Sequence, residues 1–136
     1  MSKTTNERKS EWASFPTSFQ QLASGFISPN DIRLHITRTG GDGFPLVAIH
    51  GRTGNGLLWA RTARLLVPYF GVIMPDLRGH GLSDAPADGY DHTTMADDIL
   101  GVMDALGIER AVLMGGSMGA ALATRIAAEH PNVWKS

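Results

Sequence analysis

Apolar residues in this chain come in short unbroken runs separated by polar, glycine-rich turns. Leu46–Ile49, Val72–Met74 and Ala111–Met114 are apolar without alternation. Runs of that length suit strands buried on both faces, as in a parallel sheet. Between them the spacing becomes helical. Met95, Ile99, Val102, Met103 and Leu106 fall on one face of a helix predicted over 91–106, with Asp91 as N-cap and Gly107 past its end. A helix is also predicted over Leu58–Val67, stopped by Pro68, and another over the alanine-rich stretch Ala120–Glu129. Upstream, strands are predicted over Ser24–Ser28 and Ile32–Thr37, joined by the turn Pro29-Asn30-Asp31. A second turn, Gly40 to Gly43, leads into Leu46–Ile49.

Residues 1–22 follow another pattern. They are polar, with Trp12, Phe15, Phe19 and Leu22 near helical spacing but interrupted by Pro16. They read as a packing arm and not as a membrane anchor. The expected organisation is thus an arm over 1–22 and one domain over 23–136. Strands alternating with helices place that domain in the α/β class, a mostly parallel sheet flanked by helices.

Composition narrows the function classes. A formal charge of −1 gives no electrostatic case for nucleic acid or an anionic membrane. The absence of cysteine excludes disulfides and thiolate metal sites. Lys3, Arg8 and Lys9 are not followed by the apolar segment of a signal peptide, and no run is long enough to span a membrane, so a cytoplasmic location is expected. Half of the 16 glycines lie in three loops, each just past an apolar run.

Those loops carry the candidate chemistry. Gly115-Gly116-Ser117-Met118-Gly119 stands between the apolar run Ala111–Met114 and a helical segment. G-x-S-x-G between strand and helix is a candidate nucleophile elbow. It would hold the Ser117 hydroxyl at a strand end and a helix N-terminus, where the Met118 amide and the helix dipole favour a developing negative charge. Taken alone, the same five residues also read as an ordinary glycine-rich turn or a phosphate-cradling one. The second loop is His50-Gly51-Arg52-Thr53-Gly54, and the third runs from Asp76 through Arg78-Gly79-His80-Gly81 to Ser83-Asp84. In a parallel sheet these loops share the rim beyond the carboxyl ends of the strands.

With all three in this order, the chain resembles the α/β-hydrolase family over roughly residues 24–134. Members carry an HG loop after the third strand, D-x-R-G-x-G-x-S after the fourth and G-x-S-x-G after the fifth. The resemblance implies the N-terminal part of that fold, Ser117 as nucleophile, and the backbone of Arg52 or Gly51 joining Met118 in an oxyanion hole. It implies that His50 organises its loop instead of acting as base, and that Asp76 ties Arg78 and its glycines in place. It implies a small-molecule acyl substrate, such as an ester or lactone, because relatives that open epoxides or displace halide carry aspartate at the elbow. No cofactor is implied.

The acid and histidine of a family triad follow the nucleophile in sequence. After Ser117 this chain holds only Glu129 and His130. Both lie along the same helix, roughly 18–20 Å from Ser117 at the usual rise, beyond hydrogen-bond reach. His130 reads as a solvated helix-end residue. The chain alone is therefore expected to be inactive, and a non-catalytic product or interaction module is the alternative. An unpaired edge beside Ala111–Met114 would favour self-association. A nucleotide-binding reading of Gly51 to Gly56 is weaker, because the loop spells G-x-x-G-x-G and no Walker lysine follows. His35 and Arg38 are expected on a solvent face, and His80 and His92 in exposed positions. No His/Asp/Glu spacing indicates a metal.

Overall fold

A computed structural model describes residues 22–134; the expected arm, apart from Leu22, lies outside them. The elements are β1 (Leu22–Ile27), β2 (Leu34–Thr39), β3 (Phe44–Ile49), α1 (Ala60–Leu66), β4 (Phe70–Pro75), α2 (His92–Ala105), β5 (Val112–Gly115) and α3 (Met118–Glu129). Short 3-10 turns cover Pro29–Asp31, Gly56–Trp59 and Pro131–Val133. Among the described residues each expected strand has its counterpart, as do the helices expected over 91–106 and 120–129. Leu22 itself opens β1, two residues before the strand expected there.

The five strands form one sheet in the order β1-β2-β4-β3-β5. β3 pairs in parallel with both β4 and β5, as the unbroken apolar runs require. The β1–β2 and β2–β4 ladders are antiparallel, so the sheet is mixed. A turn as short as the one between β1 and β2 allows only antiparallel pairing. β2 extends to Thr39, whose Oγ1 accepts from the Val72 amide at 2.9 Å.

Alternate residues of the central strands feed two cores. Val47, Ile49 and Ile73 point into the larger one, with Ile27, Leu34, Ile36 and the apolar faces of α2 and α3. Leu46, Ala48, Val72 and Met74 point the other way, against Ala63 of α1. Helices on both faces explain why β3 and β4 lack polar alternation. β5 is one of the two edge strands, and its Val112 is 39% exposed. In α2, Met95, Ile99, Val102 and Met103 are buried, and Asp91 caps the helix by accepting from the Thr94 amide at 3.0 Å. The segment expected as one helix over 58–67 is split. Asn55 caps the 3-10 turn by accepting from the Leu57 amide, and α1 follows.

Candidate functional site

β3, β4 and β5 end side by side, which brings the three loops onto one rim. The elbow is held by steric fit. A Cβ on Gly115 would overlap the backbone of Gly119, where α3 turns back over its own strand. A Cβ on Gly119 would overlap the Ile49 carbonyl oxygen at the end of β3. Gly116 differs: a Cβ there meets only the Trp59 ring, at 3.6 Å, an ordinary contact. The positions that exclude a side chain are therefore Gly115 and Gly119. The Gly116 amide donates to Ile49 O at 3.3 Å, which carries the β3–β5 pairing into the turn.

Ser117 has φ +54° and ψ −119°, a backbone conformation costly for any residue but glycine. Its side chain makes no capping bond to α3, although serine is a favoured N-cap. The residue is exposed. A helix leaves its first amides without intrahelical acceptors. Here Gly119 donates to Gly116 O and Ala120 to Ser117 O, Ala121 makes the first regular helical bond to Ser117 O, and no acceptor for the Met118 amide occurs among the described residues.

The loop after β3 lies against this turn. A Cβ on Gly51 would sit 3.3 Å from both Gly116 O and Ser117 Cβ. The His50 ring is fully buried. The Leu77 amide lies 3.0 Å from His50 Nε2, so Nε2 is the acceptor. Nδ1 then carries the proton and donates to Gly51 O at 2.6 Å. Burial pushes the pKa of this ring below the ordinary histidine value; the Gly51 carbonyl opposes that shift, and His80 adds to it. The one lone pair of His50 is thus engaged by Leu77.

Asp76 is buried, and its carboxylate accepts from the amides of Gly56 at 2.6 Å and Leu82 at 3.0 Å and from His35 Nδ1 at 3.0 Å. It bonds the loops after β3 and β4 through Gly56 and Leu82, and it makes no bond to Arg78, the partner expected for it. The partner of Arg78 is Asp98 of α2, through Nε to Oδ2 at 2.6 Å and Nη2 to Oδ1 at 2.9 Å. That pairing raises the Arg78 pKa. His35 is not on a solvent face: it is 8% exposed, covered by the loop whose Ser83 Oγ accepts from its amide. Arg38 is half-buried, and burial lowers its pKa. His80 is also half-buried, with both ring nitrogens on backbone carbonyls, whereas His92 is exposed. Glu129 and His130 are exposed at the far end of α3 from Ser117. Among the described residues no cluster of three or more metal-ligating groups occurs, and no helix is long and apolar enough to cross a membrane.

Phosphate cradling by Gly51 to Gly56 fits poorly. The Gly54 amide is used by Gly51 O, and the Gly56 amide by Asp76, a carboxylate that would repel an anion. Sequence reasoning missed Asp98, His35 and His80. Asp98 carried a signal: it falls three residues after Met95 and one before Ile99, on the buried stripe, and a buried acid requires a cation.

Comparison with known proteins bears on the family and the fold. Residues 45–136 match the family model described as alpha/beta hydrolase fold. The chain is 39% identical over 109 residues to N-formylmaleamate deformylase of Pseudomonas putida, covering 79% of this chain and 41% of the relative. It is 43% identical over 96 residues to 2-hydroxymuconate semialdehyde hydrolase of a Pseudomonas species, covering 67% of this chain and 34% of the relative. The crystal structure of an enol-lactonase from Burkholderia xenovorans superimposes with a TM-score of 0.78 at 32% identity, covering 82% of this chain and 44% of that one. The chain thus spans well under half the length of these relatives. The family match over 45–136, the sequence identity and the superposition lead to one assignment: this chain belongs to the α/β-hydrolase fold family.

Proposed function

We propose that this chain supplies the nucleophile and the oxyanion hole of a serine hydrolase acting on an ester, lactone or related acyl bond of a small molecule. The observation that carries the reading is Ser117: an exposed serine in a strained conformation, with its hydroxyl unused as a cap and an unclaimed amide beside it. Strain of that kind persists where function needs it. In the reaction, Ser117 Oγ attacks the acyl carbon and the carbonyl π electrons move onto oxygen. The amides of Met118 and of Arg52 or Gly51 then stabilise the oxyanion. Its collapse breaks the bond to the leaving group, which departs as alcohol or amine with the proton given up by Ser117, and water later cleaves the acyl-serine to the acid and the free hydroxyl. Relatives named as a deformylase and an enol-lactonase fit acyl chemistry.

The base for Ser117 is neither His50, whose lone pair is engaged, nor His130, roughly 18 Å along α3. The 136-residue chain alone is accordingly proposed to be inactive. The same observation favours the second reading, a non-catalytic module that kept the turn. Turnover of p-nitrophenyl esters, small lactones and N-formyl amides by the protein as its gene encodes it separates the two. Hydrolysis of at least one class, falling ~10⁴-fold or more in Ser117→Ala, supports the hydrolase. Turnover unchanged by that substitution, or none with any acyl compound, favours the module.

A further inference from the structure

His80 Nδ1 lies 2.9 Å from Arg78 O, and Nε2 lies 2.5 Å from Arg52 O. Both partners are carbonyl oxygens, which only accept. A neutral imidazole has one N–H and satisfies one of them; the imidazolium has two and satisfies both. His80 therefore sits in a cradle shaped for the charged ring. One side of the cradle is its own loop after β4, and the other is the peptide that precedes Thr53 in the loop after β3. The neighbouring His50 ring, 4.9 Å away between centroids, uses its nitrogens in the opposite sense, with one donating and one accepting.

We propose that His80 is a positioning residue for the oxyanion loop: in its doubly protonated form it clamps the Arg52 peptide against the β4 loop, and loss of one proton releases that peptide. The inference rests on the proposed role of the Arg52 and Gly51 backbone. The Arg52 carbonyl belongs to the Arg52–Thr53 peptide, so holding it restrains ψ of Arg52 and, through the Arg52 Cα, the adjoining Gly51–Arg52 peptide whose N–H faces the oxyanion role; misplacement of a catalytic group by about 1 Å costs on the order of 100-fold in rate. The charged and titratable groups of the surrounding loops are His50, Arg52, Asp76, Arg78 and Asp84, with Asp88, Tyr90 and Asp91 further along the loop after β4, where Tyr90 donates to Pro86 O and Asp91 caps α2. Asp76 is engaged by Gly56, Leu82 and His35, Arg78 by Asp98, and Asp84 by the Arg33 amide. His50 is neutral through its bond from Leu77. The Arg52 side chain is exposed to solvent. Among the described residues no carboxylate forms an ion pair with His80, and the two carbonyls are its ring partners.

The test uses two isosteres. Gln places a donor where Nε2 stands and retains the bond to Arg52; Asn places one where Nδ1 stands and retains only the bond to Arg78. In the Ser117→Ala background, imidazole and backbone ¹⁵N spectra are followed between about pH 8 and 5, the range over which histidines change charge. The expected result is that the Arg52 amide and His80 titrate with one midpoint, and that the Arg52 amide stops titrating in His80→Gln. An Arg52 amide that ignores the protonation of His80 overturns the proposal, whether or not Ser117 proves to be a nucleophile. With Ser117 present, phosphonylation by a fluorophosphonate should be near wild type in His80→Gln and should lose pH dependence arising from the clamp. It should fall roughly 10- to 100-fold in His80→Asn. Equal rates in the two variants contradict the clamp, and no labelling in any form, with the NMR coupling intact, removes the proposed function and leaves the clamp standing.

Discussion

The turns after β4 and β5 lie on one rim yet are held by opposite means. The β4 turn is a polar network: Asp76 gathers two amides and His35, Arg78 reaches into α2 for Asp98, and His80 bridges to the β3 loop. The β5 turn has few such bonds. It is fixed by the absence of side chains at Gly115 and Gly119, which lets α3 close onto β3 and β5. A hydrogen-bonded loop tolerates replacement by groups that keep the bonds. A sterically closed turn tolerates no added atoms but leaves its polar groups unspent. The hydroxyl of Ser117 and the amide of Met118 are free for that reason.

The contrast breaks most sharply at Gly119. Gly119→Val should cost more than about 4 kcal/mol, at the extreme for point changes, because its Cβ would overlap the Ile49 carbonyl. Urea denaturation would measure it, and failure to fold is the same result in stronger form. In the polar turn, Asp98→Ala should cost about 3–5 kcal/mol, since it leaves a buried guanidinium unpaired. The same denaturation series should show Gly116→Ala within ~1 kcal/mol of wild type, because its Cβ meets only Trp59 at contact distance. A loss at Gly116 as large as at Gly119 would show that the turn is closed all round.

Acid should sharpen the comparison from the polar side. The folded-state pKa of His50 is lowered, so between that value and the ordinary 6.5 the unfolded chain binds a proton that the folded chain does not. The His50 contribution to stability is complete above about pH 6.5 and is lost as pH falls below it. Denaturation midpoints should drop between about pH 7.5 and 5.5, and drop less in His50→Gln, whose amide oxygen accepts from Leu77 without titrating. The smallest effect belongs to Ser117→Ala, within ~0.5 kcal/mol, while Ser117→Gly should be stabilising by about 1 kcal/mol because φ +54° suits glycine.

The order of elements was legible in the chain because each signal was local. The α2 stripe, the Asp91 cap and the apolar runs of β3 and β4 required no knowledge of neighbours. The positions of Ser117, Gly51 and Asp76 on one rim followed from strands ending together. Pairings between loops were not legible. That His35 and not Arg78 meets Asp76, and that His80 reaches Arg52, depends on which segments the β4–β3–β5 order brings into contact. Gly115 and Gly116 look alike in a G-x-S-x-G pattern. Only the path of α3 decides which of them faces backbone.

The central claim is that the strained serine is the nucleophile. Its most direct test treats the protein as its gene encodes it, and its Ser117→Ala variant, with a fluorophosphonate, and maps the adduct by mass spectrometry. One phosphonyl group is expected, on the peptide containing Ser117, and none in the variant. An adduct on another residue, or equal labelling of the two proteins, would contradict it.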